Sequence, residues 1–340
     1  MMLRRYKPLF FNNGNIVFFH NGGLWRLANH APEHIVSLSK PSLFDNSRLI
    51  VRLLRREPRI AVPIGNDRVI IALRGHLVLA DLSKRTVQSL CQFREGFSSP
   101  LNICKATSQW LLVWGDYGRN TNSDSVNIYG LNNDLKTEVI YTFPPKMVRH
   151  VHNIIPSKDN GYYILTGDHE PTSGIYYSDC GFQKVRPVKT GEQKYRAVVG
   201  FDTPQGLLYA TDAVNEINCV YLLTSNGSIS QICQLNGSCI YGKEFDGDYY
   251  FATSVEPDDT IKGMRYLFSY TRGSGILSND VTLVRLDRHF NSTTVKSFKK
   301  DLFPAGLFQF GSIQFPFGHG PDFWMYPVGV KDYDLTPIKL

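Results

Sequence analysis

Short apolar runs, broken by Gly, Asn and Asp turn signals, recur along the whole chain. One type of run aligns readily: "GLWRLA" from 23, "HLVLADL" from 76, "VNIYGL" from 126, "GIYYSD" from 174, "CVYLLT" from 219 and "VTLVRLD" from 281. "DFWMYPVGV" from 322 is a looser seventh. Each follows another strand-like run: "NIVFFH", "RVIIALR", "WLLVWGDY", "YYILTGD", "LLYATD", "YYFATSVE" and "IQFPFG". Each precedes a shorter one, from "HIVSL" and "TVQSLCQF" to "TTVKSF" and "LTPIKL". A further run opens each unit: "RIAVPI", "LNICKA", "HVHNIIP", "RAVVGFD", "CIYGKEF" and "GLFQF", with "YKPLFF" near the start as another.

Four strands per unit, repeating every ~45 to 60 residues, is the period of a propeller blade. A single sheet of so many strands would curl or split, whereas a ring of small sheets protects its edges. The pattern predicts an all-β propeller of four-stranded blades. Seven blades are favoured, with six and a shared closing blade as the alternative. No linker divides residues 1–340, so one domain is expected. "SLFDNSRLIVRLLRRE" from 42 to 57 has helical spacing and predicts a short helix inserted after the first blade.

The strand ends carry the candidate chemistry. The second run of a unit ends on an acidic residue in four consecutive units: Asp116, Asp168, Asp212 and Glu256. In a propeller these positions face one rim, together with the starts of the channel-lining strands. Those starts offer Arg149, His150 and His152 in one unit and Lys194, Tyr195 and Arg196 in the next, with Tyr117, Arg119 and His169 beside the carboxylates. His150 and His152 are two apart on a strand and should point to one side. Carboxylates facing Arg and His in a funnel can divide their protonation states, the condition for acid and base work on a glycosidic bond. On this reading Asp116, Tyr117, His152, Asp168, Asp212 and Glu256 are candidate catalytic residues. Arg119, Arg149, His150, His169, Lys194, Tyr195 and Arg196 are candidate substrate contacts. An Asp at a strand end also caps turns through its own side chain, the competing structural role. No cofactor is expected, although His150, His152 and Asp168 could hold a divalent metal.

Composition narrows the partners. The 340 residues are 42% hydrophobic and 13% aromatic, enough for a sizeable core and against disorder. The net charge is +7, but the basic residues are dispersed and do not interleave with aromatics along a helix. Nucleic acid is therefore not expected, and an acidic glycan suits the charge better. The first twenty residues do not read as a signal peptide and no membrane span is expected, which predicts a cytoplasmic protein. The six Cys lack a CxxC pair and should be reduced thiols, mostly within strands.

"IYYSDCGFQKV" resembles an Asp-box, the S-x-D-x-G-x-T-W turn of sialidase-like (BNR-repeat) propellers. Asp179 and Gly181 stand at the motif's Asp and Gly, while Tyr177, Gln183 and Lys184 stand in place of its Ser, Thr and Trp. The blades from about 100 to 260 are also similar to those of uncharacterised propellers associated with bacterial polysaccharide genes. The resemblance implies a sialidase-like scaffold with a carbohydrate role. Sialidases use an arginine triad, a Tyr–Glu pair and an Asp acid; "EPRIAVP" around Arg59 echoes the motif that supplies their first arginine, and the full set has no counterpart here. The expected function is cleavage of an acidic polysaccharide or oligosaccharide, hydrolysis ahead of elimination. The alternative is a glycan-binding or partner-binding propeller without catalysis.

Overall fold

The strand periodicity is realised in a computed structural model that describes residues 3–106 and 109–340. It is a seven-bladed β-propeller. Six blades are four-stranded antiparallel meanders, and the seventh has three strands. Blade one covers Lys7–Ser37 and blade two Ile60–Gln92. Blades three to six cover Cys104–Phe143, His150–Thr190, Ala197–Gln234 and Cys239–Lys299. Blade seven is built from Ser312–Gln314, Trp324–Val328 and Ile338–Lys339.

The burial of each strand follows its place in the blade. Second strands such as Arg68–Leu73 and Gly206–Thr211 are buried on both faces because neighbouring blades pack against both. Fourth strands such as Thr86–Gln92 and Ser292–Lys299 are mostly exposed at the perimeter. Between blades three and four the packing is Val113, Ile128 and Phe143 against Ile154, Ile164 and Tyr176. Large apolar side chains between sheets of this kind each contribute about 1.5–3 kcal/mol on burial.

Blade seven departs from the sequence expectation. "GLFQF", expected as its first strand, instead forms the short helix that ends the helical layer described below. "IQFPFG" supplies the inner strand, so the blade is one strand short. Main-chain pairing closes the ring: Phe11 N–H donates to Phe317 O at 2.9 Å and Phe317 N–H to Leu9 O at 3.0 Å.

The inserted helix is present as α1 (Arg48–Leu54), capped by the Ser47 hydroxyl. The loop between the second and third strands of blade six carries α2 (Met264–Phe268), and α3 (Ala305–Phe308) precedes blade seven. All three arise from loops on the channel-mouth face, and α3 touches both α1 and α2. Arg52 of α1 is fully buried and binds Asp301 and, at 3.2 Å, Asp334. Its guanidinium also donates to Phe308 O at 2.6 Å. That cluster fastens α1 to the seventh blade.

On the opposite face the Asp179 carboxylate accepts from Gln183 N–H at 2.9 Å, tying the turn between the third and fourth strands of blade four. All six cysteines are free thiols. Among the described residues no helix is long and apolar enough to cross a membrane.

Candidate functional site

A cavity of about 1270 Å³ opens over the channel mouth. Asp168 lies on its wall, directly after the second strand of blade four (Gly161–Gly167). Beneath it sit His150 and His152, both almost fully buried. Asp168 Oδ1 is 3.3 Å from His150 Nε2 and 3.4 Å from His152 Nε2. The inner strand bulges between Val151 and Asn153, leaving His152 outside the regular pairing. Such a bulge re-aims a side chain; here the two Nε2 atoms come to 2.9 Å of each other. Gly167 permits the approach, because a Cβ there would lie 2.4 Å from His152 Cε1.

Hydrogen bonds fix the imidazole tautomers. His150 Nδ1 lies 2.6 Å from Gly118 O, and His152 Nδ1 lies 2.9 Å from Ala197 O. A carbonyl only accepts, so both Nδ1 atoms carry their hydrogens. The Nε2 sites therefore face each other and the carboxylate. Two bare lone pairs at that separation repel, so a proton or a cation belongs between them. Imidazoles that ligate metals usually donate the other ring N–H to a carbonyl or carboxylate. The three ligand atoms lie within 4.8 Å of one another, so this group could hold a metal ion.

Arg196 links Asp168 to the next two blades. Its NH2 is 3.5 Å from Asp168 Oδ1 and 3.6 Å from Asp212 Oδ2, and its NH1 is 4.0 Å from Asp259 Oδ2. The loop after Asp212 is held by buried Asn218, which accepts from Ala213 N–H at 2.8 Å and donates to Ala213 O at 2.7 Å. Glu256 accepts from the Ser254 hydroxyl at 2.7 Å and from Ser238.

The carboxyl groups shift in opposite directions. Burial would raise Asp168, but His150, His152 and Arg196 outweigh it and hold its pKa well below the usual carboxylate range. Asp212 is the reverse: burial dominates and, despite Arg196, pushes its pKa well up, helped by the nearby charges of Glu256 and Asp168. Burial also raises Glu256. Opposite shifts in adjoining carboxyls are the signature of an acid and a base sharing one site. Burial lowers both His152 and His169, the second with help from Arg149, which favours neutral imidazoles.

Of the other sequence candidates, Arg149 lies 4.0 Å from Asp168 Oδ2, contacts His169 and donates to Arg119 O at 2.6 Å. Tyr117 packs on His150, ring centroids 4.7 Å apart, with the Arg59 guanidinium 5.2 Å over its ring. Burial raises its phenol pKa, so the hydroxyl keeps its proton at neutral pH. Arg119 and His169 both line the cavity.

Three candidates lie elsewhere. Asp116 is turned into the interface between blades two and three. It is 3.0 Å from Arg94 NH1 and accepts from Asn127 N–H at 2.9 Å and Tyr129 hydroxyl at 3.1 Å. It occupies a small separate cavity of about 140 Å³ with Trp114 and Cys91. The expectation of one rim for all four carboxylates is corrected on this point. Lys194 and Tyr195 are outside the wall as well: both bind Glu192, at 2.8 Å and 3.0 Å. Sequence reasoning passed over Asp259, Tyr241, Arg55 and Arg74, all of which line the cavity. Only the "EPDD" stretch after Glu256 offered a signal for the first of them.

No family model and no curated protein matches this sequence. Solved structures do match in fold. An oligogalacturonate lyase from Vibrio parahaemolyticus aligns with TM-score 0.54 and 10% identity over 92% of this chain and 86% of its own. An oligogalacturonate lyase in complex with manganese aligns with TM-score 0.57 and 10% identity over 97% of this chain and 90% of its own. The CNH domain of AfRom2 aligns equally well, with TM-score 0.58 and 7% identity over 98% of this chain and 94% of its own. At such identities the likeness establishes the propeller fold, which serves many unrelated functions.

Proposed function

We propose that the protein cleaves a carboxylate-bearing glycan at the channel mouth, by β-elimination. The observation that carries this reading is the Asp168 wall. It joins a carboxylate held low in pKa, two arginines and imidazoles that burial disfavours as cations to a carboxyl that burial raises, in one arginine-lined cavity. Elimination begins when a uronate carboxylate is neutralised, which acidifies the adjoining C–H. Arg149 and Arg196 are the donors placed for that, since guanidinium pairs with carboxylate through two parallel hydrogen bonds. His169, disfavoured as a cation and lining the cavity, takes the carbon-bound proton at Nε2 once Arg149, which contacts that atom, turns to the uronate carboxylate. The ring double bond forms as the glycosidic C–O bond breaks. Protonated Asp212 delivers a proton to the departing oxygen. His150, His152 and Asp168 would hold a divalent cation, which when bound supplies further neutralisation of the carboxylate.

The fold likeness to oligogalacturonate lyases supports elimination and removes the reason for ranking hydrolysis first. Hydrolysis keeps one specific observation in its favour: Asp168 and Asp212 share Arg196 yet shift in opposite directions, as an acid and a nucleophile or base must. A relationship to sialidase-like propellers belongs to the same proposal and rests on the Asp179 turn. The test is a panel of acidic and neutral polysaccharides, with and without chelator, followed by ultraviolet absorbance of unsaturated uronates and by new reducing ends. Both signals together support elimination. Reducing ends alone transfer the site to hydrolysis. Binding without either product leaves a glycan-binding propeller.

A further inference from the structure

The two sides of the cavity differ in a way the cleavage wall does not explain. Arg149 and Arg196 are each paired with a carboxylate, as are Arg48, Arg52, Arg56 and Arg94 away from it. Arg55, Arg59, Arg74 and Arg119 also line the cavity, from blades two and three and the loop after α1, and none makes an ion pair among the described residues. Arg59 donates one hydrogen bond, to Ser99 O at 2.9 Å, and covers the Tyr117 ring. The side chains of Arg55, Arg74 and Arg119 are exposed and have no hydrogen-bond partner among the described residues. The acid on that side, Glu57, is taken up by the Tyr326 hydroxyl at 2.8 Å, and burial raises its pKa. This part of the lining is thus cationic without compensation.

Size points the same way. Pockets for drug-sized ligands run to roughly 300–1,000 Å³. This cavity, at about 1270 Å³, exceeds what one sugar ring fills. Four guanidiniums without an ion pair, on the blades next to the cleavage wall, leave room, and charge, for neighbouring sugars of the same chain.

We propose that Arg55, Arg59, Arg74 and Arg119 form a second anion-binding subsite that holds carboxylates of sugar units beyond the one cleaved. The ligand is then an oligoanionic glycan with several charged residues, and a single uronic acid engages only part of the site. The inference rests on the proposed glycan-cleaving function for its identification of the ligand as a glycan. Its physical basis, unpaired guanidiniums in one large cavity, is separate from the chemistry at Asp168.

The experiment is a calorimetric titration of the full chain with oligogalacturonates of increasing length and with heparin fragments of matched length. It compares wild type, a triple R55Q/R74Q/R119Q variant and R85Q. Arg85 lies in the turn between the third and fourth strands of blade two, on the opposite face, and serves as the charge control. All three substituted arginines are exposed, and a thermal melt confirms that the triple variant folds; the double R74Q/R119Q variant replaces it if it does not. Charge-assisted contacts of this kind make affinity rise about tenfold or more from disaccharide to hexasaccharide in wild type and R85Q. That rise is lost in the triple variant and weakens with added salt. Affinity independent of length, a rise that survives in the triple variant, or no binding of any anionic oligosaccharide overturns the proposal. Length-dependent binding without cleavage keeps the subsite and removes the elimination reading. Cleavage with no effect of the arginine substitutions does the opposite.

Discussion

Asp168 and Asp212 touch the same guanidinium, yet the pKa of one is held low and that of the other is pushed up. Their difference comes from the second neighbours: two imidazoles beside Asp168, and buried surroundings with an unpartnered Oδ1 at Asp212. Asp168→Asn should lower turnover by about 10- to 100-fold on any cleaved glycan, measured as initial rate, because Arg196 and the His pair lose the carboxylate that positions them. Asp212→Asn should also lower turnover but should not destabilise the fold at neutral pH. A carboxyl whose folded pKa is raised binds its proton more tightly in the folded state, so wild-type stability falls as pH rises from the unfolded to the folded pKa. The advantage of the Asn variant is therefore absent below about pH 4 and grows with pH above it; urea denaturation across pH reads it directly. If a divalent ion fits between His150, His152 and Asp168, adding Mn²⁺ should raise the wild-type Tm, and His152→Ala should abolish the rise. The sequence showed the His pair and the strand-end acids because period-two spacing and strand ends are local. It could not show that Asp116 faces Arg94, 22 residues earlier, or that Asp259 meets Arg196 across a blade boundary.

At the scale of elements, bulges and loops decide what a strand presents. The bulge at His152 and the absence of a side chain at Gly167 set the imidazole against Asp168. Gly167→Ala should displace that imidazole and remove any rise in Tm that Mn²⁺ gives the wild type, while the far-ultraviolet spectrum is kept. The α1 insertion plays a different part. Arg52 is buried between two carboxylates of the loops around blade seven, so Arg52→Met removes the cation they share and leaves Asp301 with Lys300 alone and Asp334 with the half-exposed Arg48 alone. Breaking a buried pair in this way costs about 3–5 kcal/mol, expected as a marked fall in the urea midpoint. The strand repeats were legible because blades share one alternating pattern. The seventh blade was only partly legible: its Phe- and Gly-rich "GLFQF" reads as a strand, but the structure winds it into α3 beside α1 and α2. The unpaired arginines were illegible for a related reason. They stand on loops and at strand starts in separate blades, and only closure of the ring brings them to one wall.

For the molecule as a whole, a ring of seven blades places the Asp168 wall and the arginine wall around one opening, and a positive net charge adds a long-range attraction for anionic chains. The most direct test of the central claim is a comparison of wild type and Asp168→Asn on a panel of uronate polymers, following unsaturated-product absorbance and reducing ends together. Wild type should give both signals on at least one carboxylate-bearing polymer and none on its carboxyl-reduced form, and the variant should lose about tenfold or more. Equal turnover of wild type and variant, or cleavage indifferent to the carboxylate, would contradict it.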